Sequence, residues 1–316
     1  MAEATLCVAL TGASGFVGRH VLNRLLAARC RVRALVRTPK GLGAPTPGLE
    51  LIQGDLGDDA AVARLVQGAG AVIHLVGIIQ EHGGQTFERV HVEATGRLLA
   101  GARRAGVGTW VHMSALGARA GARARYHQTK WAAEEMVRAA ATDWGLNYTI
   151  FRPSIIHGPD GEFLRMVKAF WCRPWPPLVP YFGAGLLGRG GAGRLQPVWV
   201  EDVARCFVEA LTAPAARDKT YALGGPDVFT WPQFYQACRR HLPGARRKSV
   251  VASPAWGALL LARCPGCPGV PFNRDQVIMS QEDSICPEAP ATVARDFGFA
   301  LAPFEPLLAR YADAIG

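Results

Sequence analysis

The segment Thr11-Gly12-Ala13-Ser14-Gly15-Phe16-Val17-Gly18 decides the fold of this 316-residue chain. It lies between a short β-rich run and a segment whose apolar residues recur at helical spacing. In that setting Gly12 permits a tight turn, Gly15 lets the backbone approach a pyrophosphate, and Gly18 lets the helix pack closely on the strand. Glycine-rich segments also form plain turns, but the flanking strand and helix favour a phosphate-binding loop at a helix amino terminus.

Strand-like and helix-like segments alternate from this loop to residue 152. The predicted strands are residues 5–10, 31–36, 49–53, 71–76, 109–114 and 147–152, and the predicted helices are 16–28, 58–66, 86–104 and 123–141. Strands joined by helical crossovers form a parallel sheet that helices cover on both faces. We therefore predict an α/β fold with a doubly wound parallel sheet, the Rossmann fold.

The regular alternation stops after residue 152, where Pro, Gly and aromatic residues cluster through residues 153–193. We predict a dinucleotide-binding domain over residues 1–157, to which 195–225 returns as part of the sheet. Residues 158–194 and 226–316 form a smaller, discontinuous cap. The later predicted elements are strands at 195–198 and 220–223 and helices at 201–211, 231–242, 254–263 and 303–315.

The composition excludes some classes of protein and leaves others open. With 49% apolar and 19% charged residues, the chain is too apolar to be disordered. No stretch reaches the roughly 18 uncharged apolar residues of a membrane span, and the amino terminus lacks a signal-peptide pattern. We expect a cytoplasmic protein, with a location at the inner face of a membrane as the alternative. The net charge of +10 suits nucleic acid, an anionic membrane surface or a phosphorylated ligand.

The end of the second predicted strand indicates which cofactor the loop binds. NAD sites of this type usually carry Asp or Glu roughly 20 residues past the glycines, whereas this chain has Val36-Arg37-Thr38 there, with Arg33 and Lys40 nearby. A guanidinium can pair with a 2′-phosphate through forked, charge-assisted hydrogen bonds. The sequence therefore favours NADP(H) over NAD(H), the alternative being an exposed arginine in an arginine-rich chain.

Tyr126 and Lys130 are the candidate proton-transfer pair. They stand four residues apart in a predicted helix and so share one face of it. A lysine ammonium beside a phenol favours the phenolate, which makes the tyrosine a usable proton donor or acceptor near neutral pH.

Several motifs together resemble the short-chain dehydrogenase/reductase superfamily, in its extended and atypical branch that includes epimerases and dehydratases. They are the loop 11–18, Gly54-Asp55-Leu56, His74-Leu75-Val76-Gly77, Tyr126 with Lys130, Arg152-Pro153-Ser154, His157-Gly158-Pro159, Val200-Glu201-Asp202-Val203-Ala204 and Tyr221-Ala222-Leu223-Gly224-Gly225-Pro226. The resemblance thus covers nearly the whole chain. Within this branch, the segments 112–117, 125–126 and 151–154 are most similar to the NADPH-binding accessory subunits of respiratory complex I and their bacterial relatives.

The resemblance implies roles for individual residues. Asp55 would contact the adenine, Val76 and Gly77 would line the adenosine ribose and phosphates, Lys130 would hold the nicotinamide ribose, and Tyr126 would face the nicotinamide. Ser114 is the counterpart of the family's active-site Ser or Thr, and His91 stands where the family has Asn. The full implied cofactor set is Gly12, Ser14, Gly15, Phe16, Val17, Gly18, Arg37, Asp55, Leu56, Val76, Gly77, Tyr126, Lys130 and Pro153, and the catalytic set is Tyr126, Lys130 and Ser114.

Two functions remain open at this point. One is an oxidoreductase or epimerase that transfers hydride at a carbonyl or alcohol carbon of a small molecule. The other is a non-catalytic NADPH-binding accessory or assembly protein of a respiratory complex I-like or quinone-related system. Residues 163–182 mix basic and aromatic residues, which suits a lid over the substrate pocket or, less favourably, a lipid-interface or partner-docking loop.

Two further patterns are weaker. The basic cluster between Arg239 and Lys248 lies at a predicted helix end with no nucleic-acid recognition motif, so we expect no nucleic-acid partner. Cys264 and Cys267 have metal-like spacing, but no second pair matches it, which favours a surface turn over zinc. The eight cysteines are scattered through the chain, as reduced thiols are. No metal site is predicted.

Overall fold

A seven-stranded sheet organises the computed structural model, which describes residues 5–38, 46–186, 188, 192–261 and 272–316. The strands in chain order are β1 (Cys7–Thr11), β2 (Arg31–Val36), β3 (Leu49–Gln53), β4 (Ala71–His74), β5 (Thr109–Met113), β6 (Asn147–Pro153), β7 (Ile156–His157), β8 (Leu178–Gly183), β9 (Arg194–Leu195), β10 (Val198–Trp199), β11 (Lys219–Leu223), β12 (Phe229–Thr230) and β13 (Ser249–Pro254). In space the large sheet runs β3-β2-β1-β4-β5-β6-β11, and every pairing in it is parallel. The strand order reverses between β1 and β4, which is where doubly wound folds bind their ligands.

Helices cover both faces of this sheet. They are α1 (Phe16–Ala27), α2 (Asp59–Val66), α3 (Ala94–Arg104), α4 (Arg125–Trp144), α5 (Glu162–Cys172), α6 (Val200–Glu209), α7 (Trp231–His241), α8 (Ala255–Leu261), α9 (Arg274–Met279), α10 (Ala289–Phe297) and α11 (Phe304–Tyr311). A π-helical turn, Glu88–Glu93, leads directly into α3. One core lies between the sheet and helices α1, α6 and α10, and a second lies between the sheet and helices α2, α3 and α4.

The sequence pattern explains these elements locally. The central strand β1 buries Val8, Ala9 and Leu10 completely, as a near-continuous apolar run does in a strand covered on both faces. Helix α2 begins where the Asp58 carboxylate accepts hydrogen bonds from two backbone N–H groups of its first turn. Helix α4 ends at Gly145, whose φ of 75° is the left-handed conformation that glycine adopts without strain.

A third core belongs to the cap, which residues after β6 build from helices α5, α7 and α11. Its largest buried side chains are Trp171, Phe234 and Phe304. Three two-stranded sheets complete this region: β8 with β13 and β7 with β10 are parallel, and β9 with β12 is antiparallel.

The structure confirms the predicted fold class, and in the first half every predicted strand and helix forms, with bounds shifted by at most a few residues. The second half differs. Residues 153–193, which lack alternation, contain α5 and β8. The strand predicted at 195–198 forms two short strands that pair within the cap, so of the returning segment only β11 joins the large sheet. These short strands depend on distant pairing partners, which local sequence patterns do not record.

Two further features of the structure are the lengths of its helices and the state of its cysteines. Among the described residues, none of the helices combines the length and apolar character that crossing a bilayer requires. The described cysteines are free thiols at positions 7, 30, 172, 206, 238 and 286. Cys264 and Cys267, like Lys40, lie outside the described residues.

We expect Gly18→Ala to destabilise the protein. A Cβ at this position would lie 1.9 Å from the carbonyl oxygen of Gly12, so the loop or the helix must shift, at a cost of about 1–3 kcal/mol or more. The matched control is Gly108→Ala, because a Cβ there meets no atom within 4 Å. Urea unfolding of both variants tests this, and equal unfolding midpoints would show that α1 does not require its close approach to β1.

Candidate cofactor and active site

A cavity of about 400 Å³ opens at the carboxyl ends of β1, β2, β3 and β4. The residues that line it are Gly12, Ser14, Gly15, Leu35, Val36, Arg37, Gly54, Asp55, Leu56, Gly57, Leu75, Val76, Gly77, Ile78, Gly83, Gln85, Arg89, Val90, Glu93, Ala94 and Arg97. The cavity therefore occupies the point at which the strand order reverses.

The phosphate loop shapes one wall of the cavity. Gly12 has a φ of 77°, and a Cβ on it would approach the backbone of Leu75 and Val76 to 3.2 Å. Gly15 is the residue before α1, and no side chain caps the helix in the described part of the chain. The N–H groups of the first turn of α1 are thus available to an anion, whose charge the helix dipole favours. This wall fits the pyrophosphate of a dinucleotide.

A chain of buried hydrogen bonds holds Thr11, the first residue of the loop. The hydroxyl of Thr11 lies 2.7 Å from Nδ1 of His74, and Nε2 of the same ring lies 3.1 Å from the hydroxyl of Thr95. Thr95 in turn donates to the carbonyl oxygen of His91 at 2.6 Å. Because Thr95 uses its proton there, His74 donates from Nε2 and accepts from Thr11 at Nδ1. Burial lowers the pKa of His74 to about 3, so the ring is neutral.

The arginines proposed for a 2′-phosphate divide into two groups. Arg37 lines the cavity, is exposed and makes no hydrogen bond or ion pair with the described residues. Arg33 is engaged elsewhere, because its Nε donates to the carboxylate of Glu50 at 2.8 Å and its Nη1 to the carbonyl oxygen of Gln67. The expectation that Arg33 assists Arg37 is therefore wrong: Arg33 does not line the cavity, and its donors bind neighbouring elements.

Lys130 lies against the cavity wall from α4. Its Nζ donates to the carbonyl oxygen of Met113 at 3.0 Å, and a Cβ on Gly77 would lie 2.9 Å from that nitrogen. Burial lowers the pKa of Lys130 to about 8, although the nearby carboxylate of Glu134 acts in the opposite direction. An ammonium is thus held directly behind a residue that lines the cavity.

Tyr126 lies one helical turn before Lys130. Its ring meets the rings of Phe87 and His91 edge-on, at centroid distances of 5.8 and 5.5 Å. Burial raises the pKa of Tyr126 to about 12. This direction is opposite to the expectation that Lys130 favours the phenolate, because burial removes the charged phenolate from water.

His91 connects this pair to the cavity. Its Nε2 accepts a hydrogen bond from the backbone N–H of Ile78 at 3.1 Å, so the proton resides on Nδ1, which lies 2.9 Å from the hydroxyl of Thr129. Burial, and then the charge of Lys130, lower the pKa of His91 to about 2. The π-helical turn carries this residue, and π-turns often occur at functional sites. Sequence reasoning noted the position but gave it no role.

Ser114 belongs to a buried ion cluster. Its hydroxyl donates to Oε1 of Glu134 at 2.5 Å, and Arg152 binds both oxygens of that carboxylate at 2.7 and 2.5 Å. Arg138 adds a further bond at 2.6 Å. Glu134 is completely buried and lies on α4, whereas Ser114 directly follows β5 and Arg152 lies near the carboxyl-terminal end of β6. The cluster therefore fixes α4 to the sheet, and its guanidinium groups also stack on Trp131.

Eight of the fourteen predicted cofactor-binding residues line the cavity, and the other six do not. Those that line it are Gly12, Ser14, Gly15, Arg37, Asp55, Leu56, Val76 and Gly77. Phe16 instead packs against Gly158 and Gly161, and the carbonyl oxygen of Pro153 accepts from the backbone of Leu116. Val17 packs on the first core, and Gly18 packs on the carbonyl of Gly12.

Sequence reasoning missed Gln85, Arg89 and Arg97, which line the opposite side of the cavity. Arg89 and Arg97 lie on the π-turn and α3, two helical turns apart, and both are exposed. The spacing alone carries no functional signal, since a charged stripe on a helix is usually a solvated face.

Comparison with known proteins agrees with this geometry. The profile of the NAD dependent epimerase/dehydratase family matches residues 8–224. Among curated proteins, the chain is 31% identical over 231 residues to NADH dehydrogenase [ubiquinone] 1 alpha subcomplex subunit 9 of Arabidopsis thaliana, which covers 69% of this chain and 54% of the plant protein. It is 31% identical over 245 residues to the ceramide reductase of Caulobacter vibrioides, covering 77% of this chain and 72% of that enzyme.

The mitochondrial relatives differ in length from this chain. The chain spans about half the length of the plant and mouse subunits it matches, 54% and 56% respectively. Solved structures agree in fold: a UDP-glucose 4-epimerase of Thermotoga maritima has a TM-score of 0.71 at 17% identity, covering 97% of this chain and 98% of the epimerase. A short-chain dehydrogenase/reductase superfamily protein of Agrobacterium tumefaciens also has 0.71, at 21% identity, covering 98% and 96%.

We expect Lys130 to make the free energy of unfolding depend on pH in the alkaline range. Its pKa is about 8 in the folded chain against an ordinary 10.5, so between these values the unfolded chain binds the proton and the folded chain does not. The contribution of Lys130 to stability therefore rises with pH across this window, by up to about 3 kcal/mol. The free energy of unfolding of the wild type minus that of Lys130→Met should rise accordingly. A difference that stays flat across the window would contradict the buried position of this lysine.

Proposed function

Because this chain belongs to the NAD dependent epimerase/dehydratase family, we propose that it binds NADP(H) and transfers hydride between the nicotinamide and a carbonyl or alcohol carbon of a small molecule. One observation carries the proposal. Lys130 contacts Gly77 and His91 contacts Ile78, both of which line the cavity, and Tyr126 lies on the same helix one turn away.

The cavity residues have complementary roles toward a dinucleotide. The loop backbone at Gly12 and Gly15 and the amino terminus of α1 take the pyrophosphate. Asp55 holds the adenine side, where its carboxylate is fixed by a 2.6 Å hydrogen bond from the backbone of Gly57. Arg37 takes the 2′-phosphate. When bound, the nicotinamide ring supplies or accepts the hydride.

The chain's own residues would move the proton. With a pKa raised to about 12 by burial, Tyr126 keeps its proton at neutral pH and is suited to donate it to the oxygen of a carbonyl substrate. Lys130, held by the Met113 carbonyl, would stabilise the phenolate that remains. We assign Ser114 a positioning role instead of contact with substrate, because its hydroxyl is bound to Glu134.

The bacterial relatives support the proposal that this protein reduces a carbonyl substrate. The ceramide reductase matches most of both chains, and a protein of Streptomyces griseus named (4-alkanoyl-5-oxo-2,5-dihydrofuran-3-yl)methyl phosphate reductase is 27% identical over 82% of each. Both names describe reductions, which agrees with a neutral phenol as proton donor.

A second candidate is an NADPH-binding accessory protein associated with a respiratory complex. The engagement of Ser114 by Glu134 favours it, because Tyr126 then lacks the hydroxyl partner that the family's active sites have. Three of the mitochondrial relatives, at 30–31% identity, are named NADH dehydrogenase [ubiquinone] 1 alpha subcomplex subunit 9. This candidate predicts tight binding of NADPH without turnover.

Replacing Tyr126 by Phe separates the two functions. If Tyr126 donates the proton, Tyr126→Phe should lower NADPH-dependent reduction of a panel of aldehydes and ketones by about 100-fold or more. The affinity for NADPH, followed by its fluorescence, should stay within about threefold, because the phenyl ring of the variant can keep the contacts of Tyr126 with Phe87 and His91. If the wild-type protein binds NADPH but does not oxidise it in the presence of any carbonyl compound of the panel, the result would support the accessory candidate.

Replacing Arg37 by Ala tests the choice of cofactor. Loss of a charge-assisted contact to the 2′-phosphate should weaken NADPH binding by about 10- to 100-fold and leave NADH binding unchanged. The matched control is Arg33→Ala, which removes a nearby arginine of β2 that is bound to Glu50 and Gln67. Titration of both nucleotides into each variant measures this. Equal wild-type affinities for the two cofactors would contradict the assignment.

A further inference from the structure

A two-stranded ribbon of the cap, β8 with β13, exposes large apolar side chains near both of its ends. Trp175 precedes β8 and is 77% exposed; Leu186 follows β8 and is 78% exposed. On α8, directly after β13, Trp256 and Leu260 are 51% and 53% exposed. Most indole and leucine side chains of this chain are buried or half-buried, so these four form an unusual group, which we call the ribbon surface.

The ribbon surface is held by specific contacts. The ammonium of Lys248 donates to the carbonyl oxygens of Phe170, Arg173 and Pro176 at 2.6, 2.6 and 2.7 Å, and so fixes the segment that carries Trp175. At the other end, Nε1 of Trp256 donates to the carbonyl oxygen of Leu186 at 3.1 Å. Trp256 and Leu260 stand four residues apart on one face of α8.

The two chain segments that carry the ribbon surface are rich in Lys and Arg. Residues 163–200 contain five Lys or Arg and residues 228–274 contain seven, and neither segment contains Asp or Glu. These twelve positive charges exceed the net charge of +10 of the whole chain. Several are bound by neighbours, but Arg173 and Arg247, next to Trp175 and Lys248, are exposed and make no ion pair with the described residues.

We propose that the ribbon surface docks this protein on an anionic lipid bilayer. Indoles and leucines enter the interfacial region of a bilayer, and the guanidinium groups of Arg173 and Arg247 meet acidic headgroups. Binding by one kind of contact is usually marginal, and the combination of apolar insertion with positive charge makes it stable.

The sequence predicts that residues 163–182 form a lid over the substrate pocket or, less favourably, a lipid-interface or partner-docking loop. Trp171 is completely buried in the cap core, and Phe170, Tyr181 and Phe182 are at most half-exposed. None of this segment lines the cavity. Of its aromatic residues only Trp175 is free to contact a membrane, so the ribbon surface is built largely from residues outside that segment.

Docking does not depend on the proposed function. The cavity is lined by residues between 12 and 97, whereas the ribbon surface lies between 173 and 260. The unfolding midpoint of each variant therefore serves as a measure of folding that does not depend on NADPH binding.

The test is co-sedimentation of the full chain with vesicles. The wild type should bind vesicles of phosphatidylcholine with about 30% phosphatidylglycerol, and bind pure phosphatidylcholine at least about tenfold more weakly. The double variant Trp175→Ala/Trp256→Ala and the double variant Arg173→Glu/Arg247→Glu should each lose about tenfold or more of this binding while keeping the unfolding midpoint. The charge-reversal variant should also abolish the response to salt.

The control variants change apolar and charged residues that lie outside the ribbon surface. Val228→Ala shortens an exposed apolar side chain, and Arg103→Glu/Arg104→Glu reverses two exposed charges at the end of α3. Both should bind vesicles like the wild type. The proposal is overturned if the wild type fails to bind anionic vesicles, or if the controls lose as much binding as the ribbon variants, which would indicate a general effect of net charge.

Discussion

The buried carboxylate of Glu134 is the interaction on which the candidate site depends. It receives two guanidinium groups and a serine hydroxyl; its partner Arg152 lies on β6, and its partner Ser114 directly follows β5. Removing one member of such a cluster leaves uncompensated charge in the interior, which typically costs about 3–5 kcal/mol. Since Tyr126 and Lys130 lie on the same helix as Glu134, their position relative to the cavity is set by this cluster.

A second property of the site is its excess of buried, neutral histidines. His74, His91 and His112 lie beneath or beside the cavity, and burial lowers the pKa of each. Two of them are oriented by hydrogen bonds to threonines and backbone, whereas neither ring nitrogen of His112 has a partner among the described residues. With these rings uncharged, the ammonium of Lys130 is the local positive charge behind Gly77, and it carries an electrostatic role that no histidine shares.

The net positive charge, which the composition leaves unexplained, has two separate sources in the structure. Arg37, Arg89 and Arg97 line the cavity and suit a phosphorylated ligand. Twelve further Lys or Arg lie in the two segments 163–200 and 228–274, which contain no Asp or Glu. The first group faces a cavity inside the fold, and the second includes the exposed Arg173 and Arg247 of the cap. The two are compatible because they occupy different parts of the molecule.

The sequence by itself determined the parallel sheet, the phosphate loop and the Tyr126–Lys130 pair. These follow from local periodicity and from short motifs, because a βαβ unit carries its own pattern of buried residues and turns. Tertiary structure alone decided that Ser114 binds Glu134, that Arg33 binds Glu50 while Arg37 makes no such bond to the described residues, and that Trp171 is buried while Trp175 is exposed. Each of these depends on a partner distant in the chain, and whether a polar or aromatic side chain is bound or free follows from which partners the fold brings within contact distance.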